Sequence, residues 1–269
     1  MHGFPTMKKF TLIAGFALAV VAATSKATVA DNASNYGGGW TDGTNGGTGF
    51  LAWTLSNNNN GVTLFAGNFL GDSTAGAGNI NTGGVSFGLY ANPATAFVNA
   101  DRAFALALTT GNTFTFQLGI TNDNGNKGFN LFAGTQGQVL NFNVDLGASV
   151  SAASGATLIP GSGAGYNYGG LDSVINVTVG VTSSTQFSYN ISRTSSLGFQ
   201  GTLFSGNVTG LTDSLSGFGF YVSGTDAGGA AQNNLYVNSL SVVPEPSTFA
   251  LLGVGLLGVM ARARRCKSS

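Results

Sequence analysis

A chain of 269 residues with 7% charged side chains, 43 glycines and 20 phenylalanines is long enough for one large domain or two small ones. The phenylalanines exclude a disordered linker, because disordered segments carry too little apolar surface to offset the entropy of ordering. Nine Asp against three cations (Arg102, Lys127, Arg193) leave residues 31–243 with a net charge of −6, which disfavours nucleic acid and anionic membrane surfaces, since both need a basic footprint.

In chain order the first element reads as a secretory signal. In "MKKFTLIAGFALAVVAATSKATVA", Met7 to Ala30, two lysines precede the apolar run Phe10 to Ala23, and small residues come after it. The run is short for a membrane span of about 20 residues, which favours removal over a retained anchor helix. Cleavage between Ala30 and Asp31 fits best, with Thr28 and Ala30 as the small pair; Ala23 and Ala27 are alternative sites. The preceding "MHGFPT" reads as an over-extended start, with Met7 as the true first residue. Cys266 is the sole cysteine, so no intramolecular disulfide forms.

Residues 31–243 read as strands divided by turns. "TFTFQLGI" alternates with Phe114, Phe116, Leu118 and Ile120 on one face, and "VINVTVGV", "TQFSYNIS" and "GFGFYV" alternate in the same way. Further strands are expected in "FLAWTL", "VTLFAGNFL", "VSFGLY", "AFALAL", "GFNLFA", "QVLNFNV", "GTLFSG" and "LYVNSLSVV". Turn signals separate them at Gly46-Gly47, Gly83-Gly84, Asn124-Gly125, Gly169-Gly170 and Gly228-Gly229. A dozen strands with one polar face each predict an all-β fold, an antiparallel two-sheet sandwich of jelly-roll type. A solenoid or an open barrel is the alternative, and the absence of a fixed repeat counts against the solenoid. The one place for a short helix is "NPATAFVNADRAFALAL", although Ala105 to Leu108 also suits a strand. "GWTDGTNGGTGFLAWTL" and "NNLYVNSLSVV" loosely resemble exported lectin-like sandwiches over a few residues.

The tail, residues 244–269, completes a third segment after 1–30 and 31–243. Ser247 to Ala261 carries no charge and makes about 22 Å of helix at 1.5 Å per residue, short of a bilayer core of about 30 Å. Pro244 and Pro246 stop that helix from extending backward. Arg262, Arg264 and Arg265 hold its end on the cytoplasmic side. The lysines of the signal peptide stay on that side too, so the precursor inserts transiently with residues 31–243 across the membrane.

Pro244-Glu245-Pro246, a short apolar helix from Phe249 to Met260 and a terminal Arg cluster together resemble the PEP-CTERM sorting signal. The resemblance covers about the last 26 residues. It implies a Gram-negative bacterium and recognition by an exosortase, a membrane-embedded cysteine transpeptidase that cuts near the Pro-Glu-Pro motif. The body is then released to, or attached at, the cell exterior. Family members commonly occur in bacteria that make exopolysaccharide and flocs or biofilm. A permanent C-terminal anchor is the alternative.

Between Asp31 and Val243 there is no His, Cys, Glu or Met, so neither a Ser-His-Asp nor a Cys-His arrangement can be built and a zinc site lacks its usual ligands. No catalytic residue, metal site or cofactor is therefore expected. An Asp-based glycosidase remains a distant alternative, since nine Asp supply carboxylates but most sit beside turn-forming residues. "TNDNGNKG" around Asp123 invites comparison with a calcium loop, but Lys127 stands where Gly is required and no Glu closes it. A hairpin turn through Asn124-Gly125 is the simpler reading. Trp53 shares a face with Leu51 and Leu55 and is assigned to the core. Trp40, Tyr166 and Tyr168 lie in Gly-rich loops and are the candidates for stacking against carbohydrate. The expectation is a non-enzymatic exported surface or matrix protein, with a carbohydrate-binding module for exopolysaccharide as the alternative.

Overall fold

Alternation of side chains along an extended chain gives each strand two faces, and here one face of almost every strand is apolar. The computed structural model describes residues 29–75, 78–163, 173–194, 199–225 and 230–244; the expected signal helix and C-terminal apolar helix lie outside them. One compact unit spans Thr28–Pro244 and is an antiparallel two-sheet sandwich.

The larger sheet has nine strands. In spatial order they are β10 (Thr157–Pro160), β13 (Gly201–Thr209), β12 (Gln186–Thr194), β11 (Val174–Ser183), β6 (Asn112–Gly119), β15 (Leu235–Pro244), β4 (Ser86–Asn92) and β3 (Phe65–Gly71), with β1 (Val29–Asp31) laid against β15. The second sheet runs β2 (Thr54–Asn57), β5 (Phe97–Ala103), β14 (Leu215–Ser223), β7 (Asn126–Ala133), β8 (Gly137–Val144) and β9 (Ala148–Ala152).

Phenylalanines from the two inner faces close the space between the sheets. Phe114 of β6 meets Phe218 of β14 at 4.8 Å between ring centroids, and Phe116 meets Phe129 of β7 at 4.9 Å and Phe220 at 5.3 Å. Such pairs add about 0.5–1.5 kcal/mol each beyond the area they bury. Aromatic rings also serve on the outer face of the larger sheet. Phe69 lies directly across from Gly88 and Tyr90 across from Gly67, so each ring covers a glycine that has no side chain of its own to shield the ladder.

Two expectations change. The stretch expected to form a short helix contains β5: Val98, Ala100 and Arg102 point inward at strand period, and an Arg in an inward row hides the pattern from an apolar count. Ala105 to Leu108 then forms no strand, and Leu106 is exposed. The turn through Asn124-Gly125 has its left-handed glycine (Gly125, φ 69°), but it is not a hairpin. β6 and β7 belong to different sheets, and residues 120–125 cross the roughly 10 Å between them.

The inward Arg102 is bound from all sides. Its guanidinium pairs with the Asp31 carboxylate, both side chains being fully buried. Its Nε donates to the Leu51 carbonyl at 2.7 Å and its other nitrogen to the Asn45 side chain. The guanidinium carbon lies 4.8 Å from the Phe50 ring centroid and 4.7 Å from that of Trp53. Asp31 accepts a further bond from Tyr36 Oη at 2.6 Å and one from Asn35 Nδ2 at 2.9 Å, and Tyr36 Oη in turn accepts from Trp53 Nε1 at 2.9 Å. Burial, and next the bond to Asp31, raise the Tyr36 pKa above its usual value, so the phenol stays a donor. The network joins β1 of one sheet to β5 of the other. Removing one partner strands a buried charge, so Arg102→Met is expected to cost about 3–5 kcal/mol in urea unfolding, and the double variant Asp31→Leu/Arg102→Met less. A double variant less stable than the single one would contradict this account.

Candidate functional site

Strand direction sorts the connections into two ends. β15 runs from Leu235 to Pro244, and Val29 of β1 pairs with Val242. The described chain thus begins and ends at one end of the sandwich. At the other end, about 30 Å away along a ten-residue strand, lie residues 92–97, 120–125, 145–147, 224–225 and 230–234.

That far end is held by a buried cation. Lys127, the second residue of β7, is wholly buried. Its ammonium donates to the carbonyls of Asn122, after β6, at 2.9 Å and of Asn233, before β15, at 2.8 Å. Asn122 Nδ2 also donates to Asn233 Oδ1 at 3.0 Å, and the Leu146 amide to the Asp123 carbonyl at 3.0 Å. Burial lowers the Lys127 pKa to about 8, opposed by the nearby charges of Asp123 and Asp145. The segment around Asp123 is thus organised around an internal ammonium. Among the described residues no three His, Cys, Asp or Glu side chains gather as a metal site would need.

The outer face of the six-stranded sheet carries a polar cluster that sequence reading did not single out. Asp101 of β5 lies against Gly219 of β14, beside Phe132. Desolvation alone raises its pKa, and among the described residues no side chain hydrogen-bonds it. Next to it Tyr221 reaches over to β8: its Oη donates to the Phe142 carbonyl at 3.1 Å and accepts from Asn141 Nδ2 at 2.8 Å. Burial pushes the Tyr221 pKa up to about 12. Asn141 also donates to Asn130 at 2.9 Å and Asn143 to Asn126 at 3.0 Å. The signal for this face was present in the outward alternation Asn99, Asp101 and Asn141, Asn143, but such residues look like ordinary solvated positions until β5, β14, β7 and β8 are set side by side.

Of the expected stacking platform, Trp40 alone lies within the described residues. Trp40 is only 4% exposed. Its ring packs edge-on to Trp53 at 5.4 Å and against Phe87 at 4.8 Å, because the Gly-rich loop folds back over the core and apolar burial outweighs exposure. Tyr166 and Tyr168 lie outside the described residues. Trp53 is core, as expected.

Other carboxylates have structural partners. Asp42 accepts from the Leu55 amide at 2.8 Å. Asp72 is bonded by Thr74 and Asn81, and Asp213 by Thr135, bonds that hold both pKa values below the usual range. Among the described residues all three cations, Arg102, Lys127 and Arg193, are buried, so the described surface presents carboxylates and no positive side chain.

Of the sorting residues, only Pro244 is described; it closes β15 opposite Asn112. Glu245, Pro246, Arg262, Arg264 and Arg265 lie outside. Ala30 and Asp31, the expected cleavage pair, sit together inside β1. Among the described residues no helix is long and apolar enough to cross a membrane.

Comparison with known families matches residues 242–265 to the PEP-CTERM protein-sorting motif. The chain thus combines an antiparallel two-sheet β-sandwich with a match to a C-terminal protein-sorting motif. No curated protein sequence matches the chain. Solved structures similar to it include the Ca2+/mannose-bound exoplasmic/lumenal domain of VIP36, at 10% identity and a TM-score of 0.36, over 71% of this chain and 82% of that one. Lectin I-B4 from Griffonia simplicifolia in its metal-free form has 10% identity and a TM-score of 0.36, over 81% of this chain and 100% of that one. The CBM2 module of the evolved Dit of Lactobacillus casei BL23 phage J-1 has 14% identity and a TM-score of 0.36, over 82% and 98%. At these identities and scores what those proteins bind is a property of theirs alone.

The buried ammonium makes stability depend on pH. The unfolded chain keeps the Lys127 proton to about pH 10.5 and the folded chain sheds it near 8, so between these values folding becomes more favourable as pH rises. Lys127→Met removes that dependence; near neutrality the two carbonyls left without a donor are offset by the loss of a desolvated charge. In urea unfolding at pH 8, 9 and 10 the gap between wild type and variant should widen; a constant gap would show that the ammonium is not desolvated.

Proposed function

We propose that the chain is a non-enzymatic, exported surface or matrix domain, handed to exosortase by its tail and left outside the cell as a folded sandwich. The observation that carries this reading is the continuity of β15 with the motif matched at residues 242–265: the folded body ends where the sorting signal begins. The charged groups support the non-enzymatic part. Asp31, Asp42, Asp72 and Asp213 are engaged in the fold, whereas an Asp-based glycosidase needs two carboxyls about 5–9.5 Å apart in a cleft. In intact-mass measurement of protein from cells and medium, the wild-type product should end close to Pro244. The variant Pro244→Ala/Glu245→Ala/Pro246→Ala should keep its tail through Ser269. A wild-type product that also keeps Ser269 would make the tail a permanent anchor.

A second reading, binding of carbohydrate, is favoured by the face around Asp101 and Tyr221. Amides that donate and accept, a carboxylate without a partner side chain, and the Tyr221 and Phe132 rings are the groups that grip hydroxyl-rich chains. The lack of cations on the described surface restricts the ligand to a neutral polysaccharide, since an acidic one meets only like charge. Asp101→Asn should raise the unfolding midpoint at pH 7, because a desolvated charge is removed, and weaken retention on a neutral polysaccharide about tenfold or more. Retention that is unchanged, or confined to uronic-acid polymers, would eliminate this face.

A further inference from the structure

We propose that the signal peptide is cut ahead of Val29, so that β1 stays in the mature chain as a strap closing the last strand. The inference rests on reading residues 7–30 as a cleaved signal and on the part β1 plays in the fold.

β15 has β6 along one side for most of its length, with a break at the bulge around Ser239 (φ 57°). On its other side β4 pairs only with Leu235–Val237. The remaining edge, Leu240–Val242, is covered by Val29–Asp31. Without β1 the second half of a strand deep within the nine-stranded sheet would present unpaired amides and carbonyls, a template for another chain.

A cut between Ala30 and Asp31 would do more than open that edge. Asp31 is 1% exposed, with its carboxylate on Arg102. Turning its amide nitrogen into an α-ammonium would bury a new positive charge beside a guanidinium whose carboxylate partner is already engaged, and isolated buried charges are among the costliest features a core can hold. The same cut would remove Ala30, which exchanges both backbone bonds with Thr48 (3.2 and 3.0 Å), and Val29, whose side chain fills the space over Gly49. Downstream, the Ala33 amide is held by Asn238 Oδ1 of β15 at 3.0 Å, so residues 29–33 form one continuous seam on the last strand.

Upstream, small residues at Ser25 and Ala27 flank Lys26, and Val21-Ala22-Ala23 precedes them; both offer the small residue before the cut that signal processing requires. Either leaves β1 whole. Because Val29 pairs with Val242, the retained strap also ties the start of the mature chain to the strand that runs directly into Pro244 and the sorting motif.

The test is N-terminal sequencing with intact mass on the product of the full-length gene, for wild type and Ala30→Tyr. The proposal expects a start at Thr28 or Thr24 in both proteins, since residue 30 is then no longer beside the cut. A wild-type start at Asp31, with processing blocked by Ala30→Tyr, would overturn it. A wild-type product still beginning at Met7 would instead overturn the signal reading beneath it, and the proposal with it.

Discussion

The sandwich depends on one buried ion pair between its sheets. Asp31 comes from the short β1 of the larger sheet and Arg102 from β5 of the smaller, and each is saturated by further donors or acceptors. A buried pair of this kind gains little net stability over well-packed apolar residues, because desolvation offsets attraction. What it supplies is registry: two charges that must find each other fix which residues of the N-terminal segment meet β5. Phe50 and Trp53 then close over the guanidinium, and Trp40 packs on Trp53. The long segment between β1 and β2 has little regular structure of its own, and this pair is one of the contacts that hold it.

The same economy of charge shapes the surface. A body with three cations buries all three. Arg102 braces the middle and Lys127 ties the far end, its ammonium held between two carbonyls. The charged groups left on the described exterior are carboxylates, which disfavours anionic partners. The geometry of the ends adds a direction. Val29 and Pro244 both lie at one end of the sandwich, opposite the end that Lys127 ties.

Much of the fold was legible because period-two alternation survives wherever the inward row is apolar. β6, β11, β12 and β14 are of that kind, as are β7, β8 and β15. β5 was missed because Arg102 occupies an inward position, and β1 because three residues carry no period. The site was less legible. Asp101 and Tyr221 are far apart along the chain, and neither looks unusual until β5 and β14 pair. Trp40 misled for the opposite reason: a Gly-rich loop suggests exposure, but nothing local reveals that the loop doubles back onto Trp53 and Phe87.

By itself the sequence determined the sorting motif, the strand class and the absence of His, Cys and Glu from residues 31–243, because these arise from local order, periodicity and composition. Only the tertiary structure decided where the charges go, which face carries the amides and that residues 29–31 belong to the body. Those are long-range matters. They turn on which strands pair and on whether a charge brought into the core meets a partner there, and neither can be read along the chain.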